Sequence, residues 1–208
     1  MRPIDGGSVR VLVALVPMIA LAACGSDSPA LSTADPLRSL LTIDQLVAPD
    51  FTVSVAAAHV NATALAGGDS MLATALASDG LRSAASVEYQ RGVDFSTSNG
   101  PIDVVATVER FGGISGASAA YTATVTHLDA MQGAVPVSTG PLGDQAHAIS
   151  VVRSTPAAIP AVEITVVWRT GNLVSLIVAR GRYGGTRLDD ALVLAGLQNQ
   201  DDSGSAPG

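Results

Sequence analysis

Residues 161–180 read AVEITVVWRTGNLVSLIVAR and decide the fold, because they contain two β-like runs separated by a turn. Residues 166–168 and 176–178 are continuous apolar runs, which are typical of strands buried on both faces. Thr170, Gly171 and Asn172 between them have the residue types of a tight hairpin turn. The stretch therefore predicts an antiparallel hairpin in the middle of a sheet.

A second hairpin is predicted N-terminal to this stretch. Residues 86–95 alternate between apolar and polar side chains, which is the period of a half-buried strand. Residues 96–101 (STSNGP) are of the types that favour a turn, and residues 102–111 are predicted to form the next strand. Further strands are expected at residues 51–55 and 144–152.

Helical spacing appears in three places, at residues 69–81, 117–132 and 188–198. Local hairpins with interspersed helices are typical of the α+β class. We therefore predict one α+β domain, in which an antiparallel sheet of about five to six strands is packed by about three helices on one or both faces.

The N-terminus has the features of a bacterial lipoprotein signal. Arg2 and Arg10 precede an apolar run, residues 11–23, that is shorter than the roughly 20 residues of a membrane-spanning helix. The run ends in Leu21, Ala22, Ala23 and Cys24, which matches the lipobox: an aliphatic residue, two small residues and the cysteine that is acylated. We expect cleavage before Cys24, lipidation of its thiol and a stable membrane anchor.

The chain divides into four predicted parts. Residues 1–23 are the signal peptide, and residues 24–39 carry the lipidated cysteine and a flexible tether rich in Ser, Asp, Pro and Ala. Residues 40–200 form the extracytoplasmic domain, and residues 201–208 (DDSGSAPG) form a disordered tail.

Composition excludes several classes of protein. The chain has 208 residues, 48% of them hydrophobic, and a net charge of -7, so it can bury a core but lacks the basic surface of a nucleic-acid binder. One cysteine excludes an intrachain disulfide and a multi-cysteine metal site. The absence of lysine excludes a Walker A loop.

No catalytic, metal or cofactor site is predicted. His59, His127 and His147 lack the close spacing of zinc ligands, and we interpret them as solvated or locally bonded. Residues 112–116 (GGISG) lack the Gly-x-Gly-x-x-Gly spacing and are interpreted as a strand-to-helix turn. Carboxylates at strand positions, including Glu88, Asp103 and Glu109, alternate with apolar residues and are interpreted as a solvated sheet face.

One basic cluster stands out in this acidic chain. Arg180, Arg182 and Arg187 lie at a predicted strand end and helix start, where they could hold a phosphate or carboxylate. The alternative is that they pair with nearby acids such as Asp189 and Asp190. The sequence leaves both interpretations open.

Four features define the order of elements: the 86–111 hairpin, the alanine-rich helix after Gly116, the late hairpin at residues 168–173 and the closing helix. This order resembles that of actinobacterial envelope lipoproteins and extracytoplasmic sensor-like domains. Several such domains resemble the fold of the photosystem II extrinsic protein. Because no catalytic motif is found, the leading interpretation is a non-catalytic binding module on the extracytoplasmic side of the cell membrane. Small aliphatic residues favour an apolar or lipid-like ligand in a groove between sheet and helices. The alternative is an accessory module that docks an envelope protein through a sheet edge or an apolar patch.

Overall fold

The computed structural model describes residues 31–46, 48–154 and 158–204. Two short 3-10 helices, Pro36–Ser39 and Ile43–Gln45, come first in this part of the chain. The other elements follow in the order β1 (Phe51–Val60), α1 (Ala62–Leu65), α2 (Ser70–Ser78), β2 (Leu81–Arg91), β3 (Asp103–Phe111), α3 (Ile114–Asp129), β4 (Ala134–Val137), β5 (Gln145–Arg153), β6 (Ala161–Thr170), β7 (Leu173–Arg182) and α4 (Leu188–Gly204).

The seven strands described form one antiparallel sheet in the order β1-β2-β3-β7-β6-β5-β4. β6 and β7 form the predicted hairpin, in which Thr170 pairs with Leu173 across a two-residue turn. Gly171 in that turn has φ 58°, a left-handed conformation that glycine adopts without steric cost. β7 is the central strand, so the prediction of a mid-sheet hairpin is confirmed.

The α+β class and the single sheet are also confirmed, but the strand count is higher than predicted. The additional strand is β4, which lies where Pro136 and the residues after it predict a loop. Proline lacks the N–H that a central strand needs, and β4 accommodates it because it is an edge strand. The additional helix is the single turn of α1.

α4 packs across one face of the sheet. Every second residue of the central strands points into this core, and Trp168, Ile177 and Leu194 are fully buried there. Tyr89 reaches the same core and donates its hydroxyl proton to the carbonyl of Leu41 over 2.7 Å. Each such apolar side chain contributes about 1.5–3 kcal/mol when it is fully buried.

α2 and α3 pack on the opposite face. Their core includes Leu76 from α2 and Ala120 and Leu128 from α3, in contact with Phe111 and Val167 of the sheet. These two helices cover one part of this face. The rest of the face forms the cleft described below.

Both ends of the domain extend beyond the predicted limits of residues 40 and 200. α4 continues to Gly204 because Asp202 is buried in the core, where its Oδ2 accepts hydrogen bonds from Trp168 and Ser175. Residues 201–204 are therefore helical, not a disordered tail. Before residue 40, the backbone N–H of Ser32 donates to Oδ1 of Asn172 over 2.7 Å.

Asn172 makes two further hydrogen bonds from its place in the β6–β7 turn. Its Nδ2 donates to the carbonyl oxygens of Ser32 and Phe111 over 3.1 and 2.9 Å. Asn172 is buried, so the side chain that the sequence identifies only as a turn residue joins the N-terminal segment to the centre of the sheet.

Candidate functional site

A cleft of about 320 Å³ lies on the sheet face that α2 and α3 leave open. Its floor is formed by β2, β3 and β7, and the end of β1 with α1 forms one wall. Val105, Leu176 and Val178 supply apolar surface on the floor, and Leu65 of α1 supplies it on the wall. Because side chains alternate along a strand, these residues point away from the α4 core.

Glu109 is the most unusual residue of the cleft. It is 8% exposed, and its Oε2 has no hydrogen-bond partner among the described residues. Burial raises the pKa of Glu109 to about 8, so the carboxyl holds its proton at neutral pH. A buried polar atom without a partner costs about 1–3 kcal/mol. Arg91, Gln198 and Asp202 also have a buried atom without a partner among the described residues, but of these four residues only Glu109 lines the cleft, which makes it the centre of the candidate site.

Two hydroxyl groups lie along the same floor. The hydroxyl oxygens of Ser86 and Thr107 are 3.2 Å apart and share a hydrogen bond across β2 and β3. Both side chains line the cleft with Glu109. The floor therefore combines a carboxylic acid, a hydroxyl pair and branched aliphatic side chains.

An ion-pair cluster closes the other end of the cleft. Arg180 on β7 pairs in register with Asp103 on one side and Glu163 on the other, with N–O distances of 2.9 and 2.7 Å. Burial raises the pKa of Asp103, Arg180 lowers it, and Glu88 on β2 raises it further. The guanidinium is therefore engaged by two carboxylates, and a third lies beside them.

The expectation of a solvated sheet face is wrong for Glu109. The alternation of polar and apolar residues on β3 is as predicted, but at Glu109 the polar face forms the floor of a cleft that α1 and the end of β1 wall on one side. The side chain of Asp103 is only 16% exposed as well. Alternation shows which face a residue is on, and it carries no information about what covers that face.

The three arginines predicted as an anion site have different surroundings. Arg180 lies in the ion-pair cluster, whereas Arg182 donates from Nε to the carbonyl of Ser98 and from Nη2 to Oδ1 of Asn99. Arg187 lies just before α4, and its backbone N–H donates to Oδ2 of Asp190. Anion binding by Arg180, Arg182 and Arg187 stays a prediction.

Each of the three histidines lies beside an aspartate that is distant in sequence. The nitrogen–oxygen distances are 3.5 Å for His59–Asp35, 3.1 Å for His127–Asp69 and 2.9 Å for His147–Asp129. Within the residues that the structure describes, no group of three or more His, Cys, Asp and Glu side chains is placed to hold a metal ion.

A second concavity lies between α2 and α3. It has a volume of about 380 Å³ and apolar walls that include Leu72, Ala75 and Ala123, with the His127–Asp69 pair at its edge. Met71 beside it is 80% exposed. This groove lies between two helices, whereas the cleft at Glu109 lies between the sheet and α1, where the sequence predicts a groove.

The lipobox residues Leu21, Ala22, Ala23 and Cys24 lie outside the described residues, so lipidation stays a prediction. Among the helices that the structure describes, none is long and apolar enough to span a bilayer.

Comparison with known proteins gives a likeness of fold. No family model matches the chain, and no curated protein is similar to it in sequence. The extracellular domain of PknH from Mycobacterium tuberculosis is similar in structure, with a TM-score of 0.52 at 11% identity. The likeness covers 84% of this chain and 99% of that domain.

At this level of identity the likeness shows a shared fold alone. It confirms, for the fold, the predicted resemblance to an extracytoplasmic domain of an actinobacterial protein. The predicted likeness to the photosystem II extrinsic protein stays a prediction.

Proposed function

We propose that this chain is a membrane-anchored extracytoplasmic lipoprotein that binds a small, largely apolar ligand in the sheet cleft, without catalysing its conversion. The observation that carries the proposal is Glu109, a buried carboxyl without a hydrogen-bond partner in a cleft with apolar walls. Buried polar groups in folded proteins are almost always paired. An exception inside a cleft is explained when a ligand supplies the partner.

The size and composition of the cleft support a small ligand. At about 320 Å³ it lies at the lower end of the range for ligand pockets, which also combine apolar walls with a few polar groups. Its hydroxyl pair and carboxyl would fix the orientation of a ligand whose body contacts Val105, Leu176 and Val178. The fold shared with an extracellular domain and the lipobox sequence support an extracytoplasmic setting.

The proposal of a non-catalytic role rests on the chemistry of the cleft. Ser86 and Thr107 line it, but each histidine pairs with an aspartate, and none of the three histidines lines this cleft. A hydroxyl nucleophile needs an adjacent base. Protonated Glu109 is a poor base at neutral pH, so the cleft favours binding over turnover.

Native mass spectrometry tests the binding role directly. The chain from Ser26 onward, expressed in an actinobacterial host, is expected to carry an added mass that disappears on denaturation. Glu109→Gln is expected to lose the added mass, because the amide can neither ionise nor donate an O–H bond. Asp202→Asn is the matched control: it changes the second buried carboxyl, which does not line this cleft, and should retain the added mass. A bare mass for the wild type would contradict the binding role.

The membrane anchor has a separate test. Cys24→Ser removes the thiol that is acylated, so the variant is expected to leave the membrane fraction or to stay unprocessed. Fractionation followed by intact-mass measurement distinguishes the two. Normal processing and membrane retention of the variant would show that the lipobox interpretation is wrong.

Protein docking is the second candidate, because β1 is an open sheet edge. Among the strands that the structure describes, β1 pairs with β2 alone, and Val53 and Val55 are 51% and 54% exposed. Residues 52–58 have no charged residue and no proline, the features that usually protect an edge from pairing with another strand. An envelope protein could add a strand here. A bare mass in the experiment above would favour this candidate.

A further inference from the structure

We propose that the ligand of the cleft is an organic cation, an amine whose ammonium group pairs with Glu109 and whose apolar body lies along Val105, Leu176 and Val178. This inference rests on the proposed binding function and names the class of ligand. It follows from the charge of the cleft, its shape and the unsatisfied oxygen of Glu109.

The charge of the cleft favours a cation. Arg180 at one end of the cleft pairs with Asp103 and Glu163, and Glu88 lies beside Asp103, so carboxyl groups outnumber the guanidinium in this cluster. That guanidinium already donates to Asp103 and Glu163 and offers an incoming anion little. Glu109 is neutral in the empty cleft and adds a negative charge only when it gives up its proton. A carboxylate ligand would meet repulsion, whereas an ammonium would meet acceptors.

The position of Glu109 sets where the cation lies. Its Oε2 is the buried cleft atom that lacks a partner in the described part of the chain. An ammonium has three donors and no acceptor, so it satisfies this oxygen and can also donate to the hydroxyls of Ser86 and Thr107. Hydrogen bonds to charged groups are stronger than neutral ones, which offsets part of the desolvation of both partners.

The apolar walls favour a ligand with a hydrocarbon body over a bare metal ion. Val105, Leu176 and Val178 on the floor and Leu65 on the wall have no atom that could coordinate a cation. The cavity of about 320 Å³ has room for about ten groups the size of a water molecule, at about 30 Å³ each. An aliphatic amine of six or so carbon atoms is a ligand of this size.

Binding must release a proton at neutral pH. In the empty cleft burial keeps Glu109 protonated, and no charged neighbour contributes to this shift. When the ammonium arrives, the carboxyl gives its proton to the buffer and the ion pair remains. The charged groups of the cluster at the Arg180 end of the cleft are Glu88, Asp103, Glu163 and Arg180, and residues 62–65 of α1 have no titratable side chain. Amine affinity should therefore rise with pH through about 8.

Isothermal titration calorimetry with three matched probes tests the inference. Hexylamine, hexanol and hexanoate share one hydrocarbon chain and differ only in the head group. Titration of the chain from Ser26 onward at neutral pH is expected to show hexylamine binding about tenfold or more tighter than hexanol, with hexanoate weakest. Two buffers with different ionisation enthalpies should report the release of close to one proton with hexylamine and none with hexanol.

Variants distinguish the contribution of the ammonium group to binding from the contribution of the cleft walls. Glu109→Gln should abolish the preference for hexylamine and the proton release while hexanol binding remains. Val178→Phe, at the partly exposed floor, should weaken all three probes by filling the cleft. Asp202→Asn removes a buried carboxyl elsewhere and should leave the hexylamine preference intact. Far-UV circular dichroism confirms that each variant is folded.

The outcomes distinguish this inference from the proposed function. Equal affinity for hexylamine and hexanol, or a preference that survives Glu109→Gln, would overturn the cationic ligand and leave the binding function standing. A captured ligand that mass spectrometry identifies as neutral or anionic would likewise overturn the cationic ligand and leave the binding function standing. Failure of all three probes together with a bare native mass would overturn both.

Discussion

Raising the pH from about 5 to about 9 is expected to lower the free energy of unfolding by several kcal/mol. Two buried carboxyl groups cause this. Burial raises the pKa of Glu109 to about 8 and the pKa of Asp202 to about 7, whereas the unfolded chain has ordinary values of 4.5 and 3.8. Between each ordinary value and the raised value, the folded protein holds a proton that the unfolded chain has lost.

The direction follows from this proton difference. Stability falls as pH rises wherever the folded state binds more protons, so the contribution is complete below about pH 4 and is lost by about pH 8. At about 1.36 kcal/mol for each pKa unit, the loss is up to about 4 kcal/mol for each group. Asp69 and Asp94 have lowered pKa values, mainly from hydrogen bonds to backbone and Ser96 groups, and act in the opposite direction below about pH 4.

Urea unfolding at a series of pH values, followed by the fluorescence of the one tryptophan, measures the effect. Each substitution should remove part of the dependence of the free energy of unfolding on pH. Glu109→Gln should remove the part that extends up to about pH 8, and Asp202→Asn the part that extends up to about pH 7. The double variant should be more stable than the wild type at high pH. A wild-type stability that is flat or rises between about pH 5 and about pH 8 would show that these carboxyls are not buried as the structure has them.

Trp168→Ala is expected to cost about 3–5 kcal/mol of stability. Trp168 is fully buried on β6 beneath α4, so its loss leaves a large cavity at the centre of the α4 core. The change also removes the hydrogen bond from its Nε1 to Asp202, 3.2 Å long, and leaves that carboxylate with Ser175 alone. Both effects loosen the last turns of α4.

Two further substitutions make the result specific. Trp168→Phe keeps most of the packing and loses the N–H donor, so its cost should fall well below that of Trp168→Ala. Met71→Ala, at an exposed position on α2, should change stability by less than about 0.5 kcal/mol. Chemical unfolding followed by far-UV circular dichroism compares all three. If Trp168→Ala and Met71→Ala cost the same, Trp168 does not anchor α4.

Much of the fold could be predicted because its signals are local. The continuous apolar runs of β6 and β7 and the Gly171-Asn172 turn identify the central hairpin from consecutive residues. β4 was missed because a proline in a four-residue edge strand looks like a loop. The end of α4 was missed because residues 201–204 are polar, and only the tertiary contacts of Asp202 explain why that turn is helical.

The candidate site could not be predicted, because its properties arise from elements that are distant in sequence. Glu109 is one of several carboxylates at alternating strand positions. The residues that flank Glu109 on β3 give no signal that distinguishes it from the glutamate of β2, Glu88. Its burial depends on β1 and α1, which lie some 45 residues earlier, and on β7, which lies more than 60 residues later. A charged residue in the sequence Thr107-Val108-Glu109 carries no signal of this arrangement.

The hydrogen bonds between Ser32 and Asn172 join residues 140 positions apart in the chain. Because contacts of such long separation form slowly, and because Asn172 is translated late, this junction must assemble after almost the whole sheet has been synthesised. The order of synthesis thus makes the attachment of residue 32 to the β6–β7 turn one of the last steps in the closing of the domain.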